Sequence, residues 1–304
     1  MIIHLDPSIK RTIWGGTKLA LYKDLPTLDG LDPIGETWEV SIHPEGVSQN
    51  GGVNLDLSPH QLKLPYLVKL IDTGKELSIQ VHPGDEYAMK VEKSTGKSEC
   101  WYIIDAKNEA GIYLGLKPEV TKESFISALK NNEMMNNFLN FYPVKAGDFF
   151  FVPAGSIHAI GAGITLAEVQ QNSGITYRVW DWNRVDKNGK SRELHIEKSL
   201  DVINFDQASN GVEFFKKTNV LNRQDPVTIL LEHKCFKLSH VNLNKGVSLN
   251  LSVGDKDRFP SILNLAGELL INGELVKKFS SVLIKDETNL EIRASIDSQF
   301  LLVE

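Results

Sequence analysis

Short apolar or alternating segments follow one another along most of this chain, separated about every eight to twelve residues by Gly, Pro, Asn or Asp. The segment from Leu77 to His82 shows the alternation clearly. Leu77, Ile79 and Val81 share one face of a strand, and the polar residues between them share the other. Such a pattern is typical of a β-sandwich or β-barrel. We therefore predict a mainly β fold in which helix is the minority.

A few stretches have helical features instead. The clearest begins after Thr121, a suitable N-cap residue, and places Phe125 and Leu129 four residues apart on one face. We expect it to break near Asn131 and to resume through Phe138. Shorter helices are predicted after Ser58-Pro59, over Asp85 to Glu92 and from Glu193 to Val202.

The composition shifts along the chain. All five tryptophans lie before residue 183, whereas the sequence from about residue 225 onward consists of strand-like runs of Val, Leu, Ile, Ser and Asn. This asymmetry predicts two β domains, and the polar stretch over 206–211 is the natural place for a boundary between them. We assign residues 1–215 to the first domain and 216–304 to the second.

The overall composition excludes several classes of protein. With 41% hydrophobic and 24% charged residues, the 304-residue chain is globular, and 33 Lys and Arg against 39 Asp and Glu give a net charge of −6 that disfavours nucleic acid as a partner. No segment approaches the roughly 18 apolar residues of a transmembrane helix, and because the first residues show no basic stretch followed by an apolar one, we expect no secretory leader. The cysteines, Cys100 and Cys235, lie in apolar runs, which indicates free thiols. We predict a cytoplasmic protein with no membrane partner, and the oligomeric state stays open.

Two strands carry candidate chemistry. Gln80 and His82 share the polar face of the first, and Pro83 ends it, so the imidazole lies at a rim; a half-solvated strand explains the same pattern. The second opens with Glu99 and is otherwise apolar. A buried carboxylate needs a partner, and this partner is a metal ion, backbone amides or Lys97.

The third segment extends from Gly147 to His158, with a buried strand followed by a bend. Its order of Gly, five residues, Pro-x-Gly, two residues and His resembles the second motif of the cupins, small β-barrels that hold a divalent metal ion with histidines and a carboxylate. The first cupin motif is matched by Gly74, five residues and Gln80-Val81-His82, with Gln in place of the first His.

Spacing alone nominates Glu86 as the carboxylate of the first cupin motif. Glu86, however, lies in the predicted helix over Asp85 to Glu92, so that its side chain would point away from the barrel. Glu99 on the following strand is therefore the better candidate.

Several further segments resemble the type I mannose-6-phosphate isomerases. They are Trp14-Gly-Gly, Gly35-Glu-Thr-Trp-Glu-Val-Ser, Gln80-x-His-Pro, Gly96-Lys-Ser-Glu-Cys-Trp-Tyr, Pro153-Ala-Gly-Ser-Ile-His, Leu166-Ala-Glu-Val-Gln-Gln-Asn-Ser and Thr176-Tyr-Arg-Val-Trp-Asp-Trp. The resemblance covers residues 10–185. It implies two cupin-type jelly-roll barrels, with a few short helices inserted in and around the first barrel.

The resemblance also implies a zinc ion bound by His82, Glu99 and His158, with Gln80 as the fourth ligand in longer members of the family, and an essential Arg178. Two imidazoles and one carboxylate leave an open coordination position, which is typical of catalytic zinc. The implied activity is interconversion of mannose 6-phosphate and fructose 6-phosphate through a cis-enediol.

That reaction needs a group that carries the proton between C1 and C2. Glu168 shares a strand face with Leu166 and Gln170, and burial would raise its pKa towards that of a general base; a salt bridge with Arg178 is the alternative. Lys97 is a second candidate for proton transfer or for contacts with substrate oxygens.

Arg178 shares a predicted strand face with Trp180 and Trp182, which would pack its stem, although an exposed arginine is the simpler interpretation without the family resemblance. The phosphate of a sugar phosphate needs a positive field. Besides Arg178 and Lys97, this field could come from a cluster of four basic residues, namely Arg184, Lys187, Lys190 and Arg192.

Two other functions share these ligands. A cupin oxygenase would use iron in the same place, because histidine and carboxylate suit several first-row metals. A sugar-binding regulatory cupin would keep the metal ion without turnover. The combination of Glu168 with Arg178 favours the isomerase, since proton transfer uses both.

Overall fold

The computed structural model describes residues 1–26, 30–58, 64–185, 189–221, 223, 225–253, 258–287 and 289–304. Within them the mainly β fold is confirmed. The strands, in chain order, are β1 (Ile2–Leu5), β2 (Ser8–Arg11), β3 (Ile34–Val40), β4 (Gln49–Asn50), β5 (Val53–Asn54), β6 (Tyr66–Asp72), β7 (Ile79–Val81), β8 (Glu99–Ala106), β9 (Gly111–Leu116), β10 (Leu139–Pro143), β11 (Asp148–Val152), β12 (His158–Ile160), β13 (Ile164–Gln171), β14 (Tyr177–Trp180), β15 (Thr218–Asn219), β16 (Val227–Glu232), β17 (Lys237–Leu243), β18 (Ser248–Ser252), β19 (Ser261–Ala266), β20 (Leu269–Ile271), β21 (Glu274–Val276), β22 (Ser281–Ile284), β23 (Asn289–Ala294) and β24 (Ser298–Val303).

The helices are short. They are α1 (Lys18–Tyr22), α2 (Asp85–Glu92), α3 (Lys122–Lys130) and α4 (Ile196–Val202), with 3₁₀ turns at Met135–Phe138 and Gln207–Ser209. Thr121 caps α3 as predicted, since its hydroxyl accepts a hydrogen bond from the Ser124 amide. α1 was not anticipated, and the helix predicted after Ser58-Pro59 falls outside the described residues. No helix in the described ranges is long and apolar enough to cross a membrane.

Four sheets hold most of the strands. The five-stranded sheet has the order β10-β9-β12-β7-β14, and the seven-stranded sheet has the order β15-β11-β8-β13-β6-β3-β2. We call this pair the N-terminal sandwich. The six-stranded sheet, β1-β22-β19-β24-β17-β16, and the four-stranded sheet, β18-β23-β20-β21, form the C-terminal sandwich. No hydrogen-bonded pairing among the described strands closes either pair into a barrel.

The four sheets are stacked face to face, and each layer is filled by apolar side chains. Ile112 and Leu114 of the five-stranded sheet pack with Trp101 and Ile103 of the seven-stranded sheet. The opposite face of the seven-stranded sheet packs on the six-stranded sheet, which in turn packs on the four-stranded sheet. The central strands β6 and β13 are therefore covered on both faces, and every residue in them is buried.

Some pairings cross the predicted domain boundary at 215/216. β1 pairs with β22 at one edge of the six-stranded sheet, and β15 pairs with β11 at one edge of the seven-stranded sheet. The Tyr66 hydroxyl donates a hydrogen bond to the Phe259 carbonyl, so the two sandwiches also share polar contacts. Because each sandwich borrows a strand from the other part of the sequence, neither is a continuous segment of the chain.

Candidate metal centre and active site

One row of side chains crosses the five-stranded sheet. Gln80 on β7 is directly opposite His158 on β12 and Arg178 on β14, because β7 lies between the other two strands. His82 follows β7 immediately and is held at its end by Pro83, whose ring cannot continue a strand ladder. The polar face predicted from the alternation in this segment is thus the inner face of the N-terminal sandwich.

A second row faces it from the seven-stranded sheet. Glu99 is the first residue of β8, Glu168 lies on β13, and Lys69 on β6 is the register partner of Glu168. All three side chains are at least nine-tenths buried. Their neighbours on the opposite strand faces pack between the two sandwiches, so alternation directs the charges into the N-terminal interior.

The two rows meet at three side chains, His82, Glu99 and His158. The His82 Nε2 atom lies 3.3 Å from one Glu99 oxygen, and the His158 Nε2 atom lies 3.4 Å from the other. One nitrogen or oxygen atom from each of the three residues falls within 4.8 Å of the others. The spacing is that of ligands around a common centre.

The orientation of both imidazoles is fixed from behind. The His82 Nδ1 atom is 2.8 Å from the Ile175 carbonyl oxygen, and the His158 Nδ1 atom is 2.9 Å from the Ser156 carbonyl oxygen. A carbonyl only accepts, so each Nδ1 carries the proton and each Nε2 keeps its lone pair towards Glu99. Burial and the neighbouring Lys97 lower the pKa of His82 to about 3, which keeps the ring neutral.

The chemistry of these groups fits a divalent metal ion. One oxygen of the buried Glu99 carboxylate is ion-paired with Lys97 at 2.7 Å, and the other, Oε1, has no hydrogen-bond partner among the described residues. Burial alone would raise the pKa of Glu99, but the adjacent Lys97 ammonium group holds it well below the usual range, so the carboxylate is ionised. Two neutral imidazoles and one carboxylate are the ligand set of a catalytic zinc site.

Gln80 lies beside this centre. Its side-chain nitrogen is 3.3 Å from the His158 Nε2 atom. The oxygen and nitrogen of a side-chain amide are interchangeable by a half-turn, and the reversed orientation would direct the oxygen towards the ligand atoms. The geometry thus allows Gln80 to act as a fourth ligand.

A chain of charges extends from the candidate ligands. Lys97 lies 3.9 Å from Glu168, Glu168 lies 3.3 Å from Lys69, and Lys69 lies 3.5 Å from Glu36. Burial and the nearby Glu99 raise the pKa of Glu168, more than the two lysines lower it. Trp101 donates a hydrogen bond to the other Glu168 oxygen. Glu168 and Arg178 are not paired with each other.

These charges line a cavity of about 350 Å³. Trp14 contributes an aromatic wall, and two arginines, Arg178 and Arg192, lie on the cavity surface. Asp181 holds Arg192 through two hydrogen bonds of 2.7 and 2.5 Å and also binds Arg184. Burial raises the pKa of Asp181, but the guanidinium groups of Arg192 and Arg184 lower it by more, so the pKa lies below its usual value.

Two predictions about the arginines need correction or restriction. Arg178 does not share a face with Trp180, because a β-bulge lies between them and turns the indole to the opposite face, where it packs with Ile79 and Val81. Trp182 packs against Trp180 on that side. In the basic cluster, Lys187 lies outside the described residues, and Lys190 is exposed.

Sequence reasoning missed Glu36, Lys69, Asp181 and His195. Lys69 could have been found by the argument that identified Glu99, because it is the single charged residue inside the apolar run Tyr66-Leu-Val-Lys-Leu-Ile. Asp181 binds Arg184 and Arg192, and His195 binds the backbone of Arg178. No local sequence pattern marks either residue.

Comparisons with known proteins agree with this geometry. Residues 2–115 match the family model for the catalytic domain of type I phosphomannose isomerase. The chain is 38% identical to mannose-6-phosphate isomerase ManA of Bacillus subtilis over 296 residues, which cover 91% of this chain and 90% of that protein. It is 40% identical to mannose-6-phosphate isomerase of Streptococcus mutans over 226 residues, covering 69% and 70%. The crystal structure of mannose 6-phosphate isomerase from Bacillus subtilis superimposes with a TM-score of 0.81 at 27% identity, covering 100% of this chain and 99% of that one.

Proposed function

The chain belongs to the mannose-6-phosphate isomerase family of aldose–ketose isomerases, and we propose that it interconverts mannose 6-phosphate and fructose 6-phosphate with a zinc ion in the N-terminal sandwich. The observation that carries this proposal is the convergence of His82, Glu99 and His158 next to the paired Lys97 and Glu168. Ligands alone would suit many metalloproteins. A buried carboxylate of raised pKa beside them supplies the proton carrier that an isomerase needs.

Zinc would be held by His82, Glu99 and His158, with Gln80 as the fourth ligand. When bound there it would supply Lewis-acid stabilisation of negative charge on a sugar oxygen. The carbonyl groups behind both imidazoles fix the rings so that their Nε2 lone pairs would be available to the ion.

Glu168 is the proposed general base. In the open-chain aldose its carboxylate takes the proton from C2, which gives the cis-enediol, and returns that proton to C1. The hydroxyl proton moves from O2 to O1, so the aldehyde becomes an alcohol and C2 becomes the ketone carbon. Burial raises the pKa of Glu168 towards the range in which a carboxylate both accepts and releases a proton.

Cationic groups line the cavity in which the sugar would react. Lys97, within 3.9 Å of Glu168, is placed to exchange the hydroxyl proton, and Lys69 at 3.3 Å balances the charge of the base. Arg178, which lines the same cavity, would stabilise the enediolate oxygens. Together these residues stabilise charge that develops only during the reaction.

The phosphate would bind at Arg192. Asp181 accepts hydrogen bonds from Nε and Nη2 of Arg192, which leaves Nη1 without a partner among the described residues. A guanidinium that is fixed on one side and open on the other is suited to an anionic oxygen. Arg192 and Glu168 line the same cavity, so a sugar phosphate could contact both at once.

Expectations about domain organisation and cellular location complete the proposal. Apart from the edge strands β1 and β15, the strands of the two sandwiches fall before and after residue 216, which supports a metal-bearing cupin domain over residues 1–215 and a cupin-like domain over residues 216–304, each a jelly roll. Cys100 and Cys235 are both free thiols. They favour a reducing compartment, so we place the enzyme in the cytoplasm.

The test is a coupled assay of fructose 6-phosphate formation from mannose 6-phosphate, before and after chelation and after zinc is restored. We expect turnover that is lost with the metal and regained with zinc. Oxygen uptake would indicate an oxygenase, and sugar-phosphate binding without turnover would indicate a regulatory cupin; either result contradicts the proposal. Arg178→Ala should keep its zinc and lose activity.

A further inference from the structure

Arg178 lies on a strand at the edge of its sheet. β14 pairs with β7 on one side only. On the open side, the Arg178 carbonyl accepts a hydrogen bond of 2.7 Å from the His195 amide, and the Arg178 amide donates one of 3.1 Å to the His195 side chain at Nδ1. A side chain therefore completes a bond that a neighbouring strand would otherwise make.

The same segment also holds the guanidinium. Arg178 Nη1 donates a hydrogen bond of 2.7 Å to the Glu193 carbonyl, while its Nε is buried and has no partner in the described part of the chain. Residues 193–195, which the sequence assigned to a helix, have no regular secondary structure, and α4 begins only at Ile196. Backbone and side chain of Arg178 are thus fixed by one short segment.

The bond to His195 depends on the protonation state of its ring. A backbone amide can only donate, so Nδ1 must carry a lone pair and the proton must be on Nε2. The ring packs at 6.2 Å from Tyr177. It lines a second cavity of about 360 Å³ whose other ionisable residues are His43, Glu45, Glu92, Tyr177 and Lys198.

His195 itself is anchored by α4. Its carbonyl accepts hydrogen bonds of 2.9 Å from the Ser199 amide and 2.7 Å from the Ser199 hydroxyl. The imidazole is therefore presented to β14 from the start of a helix that packs on that strand. A shift in the position of His195 would therefore displace Arg178 as well.

We propose that His195 is a positioning residue for catalysis. Its neutral imidazole holds the Arg178 backbone in place, and this fixes the position of the guanidinium group in the cavity. This inference rests on the proposed function, because it requires Arg178 to act in turnover. Arg178 stabilises charge in the transition state and Arg192 binds the phosphate, so displacement of Arg178 should reduce kcat and leave KM nearly unchanged.

The test compares His195→Leu with His195→Asn in the zinc-loaded, full-length enzyme. Asn places an acceptor oxygen at the position of Nδ1, whereas Leu has similar branching and no acceptor. We expect His195→Leu to lower kcat about 10- to 100-fold with KM within about twofold and zinc content unchanged, since small misplacements are costly. His195→Asn should stay within about threefold of the parent. Lys198→Met, in the same cavity without a bond to Arg178, should match the parent.

Wild-type kcat in His195→Leu, or equal losses in the Leu and Asn variants, would overturn the inference. A second measurement does not depend on turnover. The ¹⁵N chemical shifts of the His195 ring, assigned by their absence in His195→Asn, should show an unprotonated Nδ1. A protonated Nδ1 would overturn the inference and leave the proposed function intact, whereas an inactive zinc-loaded parent would overturn both.

Discussion

The two sandwiches share one plan and differ in what they enclose. Between the sheets of the N-terminal sandwich lie four charged side chains that are at least nine-tenths buried, namely Lys69, Lys97, Glu99 and Glu168. Between the sheets of the C-terminal sandwich lie Val, Leu, Ile, Phe and Ala. Among the described residues after position 225, no Asp, Glu, Lys or Arg is buried.

The difference teaches where function is located in a sheet architecture. Burying a charge costs several kcal/mol unless it is paired, and apolar residues of similar size would be at least as stable. The four charges in the N-terminal interior are therefore poor choices for stability alone and good choices for chemistry. The C-terminal interior shows what the same architecture contains when only packing matters.

The largest expected effect comes from removing a candidate ligand. His158→Ala should lose its zinc and reduce kcat at least about 1,000-fold, because a Lewis acid contributes several kcal/mol to charge stabilisation. Metal analysis and the coupled assay provide the measurement. His240→Phe, which removes a buried histidine on β17 of the C-terminal sandwich, is the control and should keep both. Stoichiometric zinc in His158→Ala would contradict the ligand role of His158 and, with it, the view that the N-terminal interior differs from the C-terminal one by holding a metal ion.

The next effect concerns the base. Glu168→Gln should keep zinc and lower kcat about 100- to 10,000-fold, the usual contribution of acid–base catalysis. Because the base must be ionised and its pKa is raised, the parent should lose activity at a higher pH than an ordinary glutamate would produce. A pH profile of kcat measures this acidic limb. Glu36→Gln is the control and should retain this acidic limb. An acidic limb that persists in Glu168→Gln would show that another residue is the base.

A smaller effect should separate binding from chemistry. Arg192→Met should raise KM for mannose 6-phosphate about 10- to 100-fold with kcat within about threefold, since a hydrogen bond to a charged group contributes about 1.5–3 kcal/mol. Steady-state kinetics measure the split. Arg184→Met is the matched control, because Arg184 also binds Asp181 but does not line the cavity. Equal KM values for the two variants would place the phosphate at another residue.

The smallest effect concerns stability alone. Burial lowers the pKa of His240, which stacks on Tyr102 between the sandwiches, from 6.5 to about 4. The unfolded chain therefore binds a proton that the folded chain excludes, so stability is complete above pH 6.5 and falls as the pH drops towards 4. Urea unfolding should show a loss of stability over this pH range that is about 1–3 kcal/mol smaller in His240→Phe than in the parent. An equal loss in that variant would assign the effect to other groups.

Local patterns in the sequence predicted the elements that local physics controls. Alternation over Leu77 to His82 correctly separated the two faces of the strand, and the isolated charge of Glu99 correctly marked a buried polar position. The helix over Asp85–Glu92 has the predicted bounds. Each of these features depends on residues that are close in sequence.

Features that depend on distant partners were missed. The bulge before Trp180 reverses its face, and nothing in the sequence Arg-Val-Trp indicates an extra residue. α1 has five residues and no side-chain cap, so it gives too little periodicity to detect. His195 offered no ligand-like pattern, because its partner is the backbone of a strand 17 residues earlier.

The pairing of β1 with β22 has a consequence for biosynthesis. Ile2–Leu5 leaves the ribosome long before its partner Ser281–Ile284 is translated. Until then, the nascent chain presents an unpaired hydrophobic strand, a segment that invites association with other chains. Any truncation before residue 281 therefore leaves this strand without its partner.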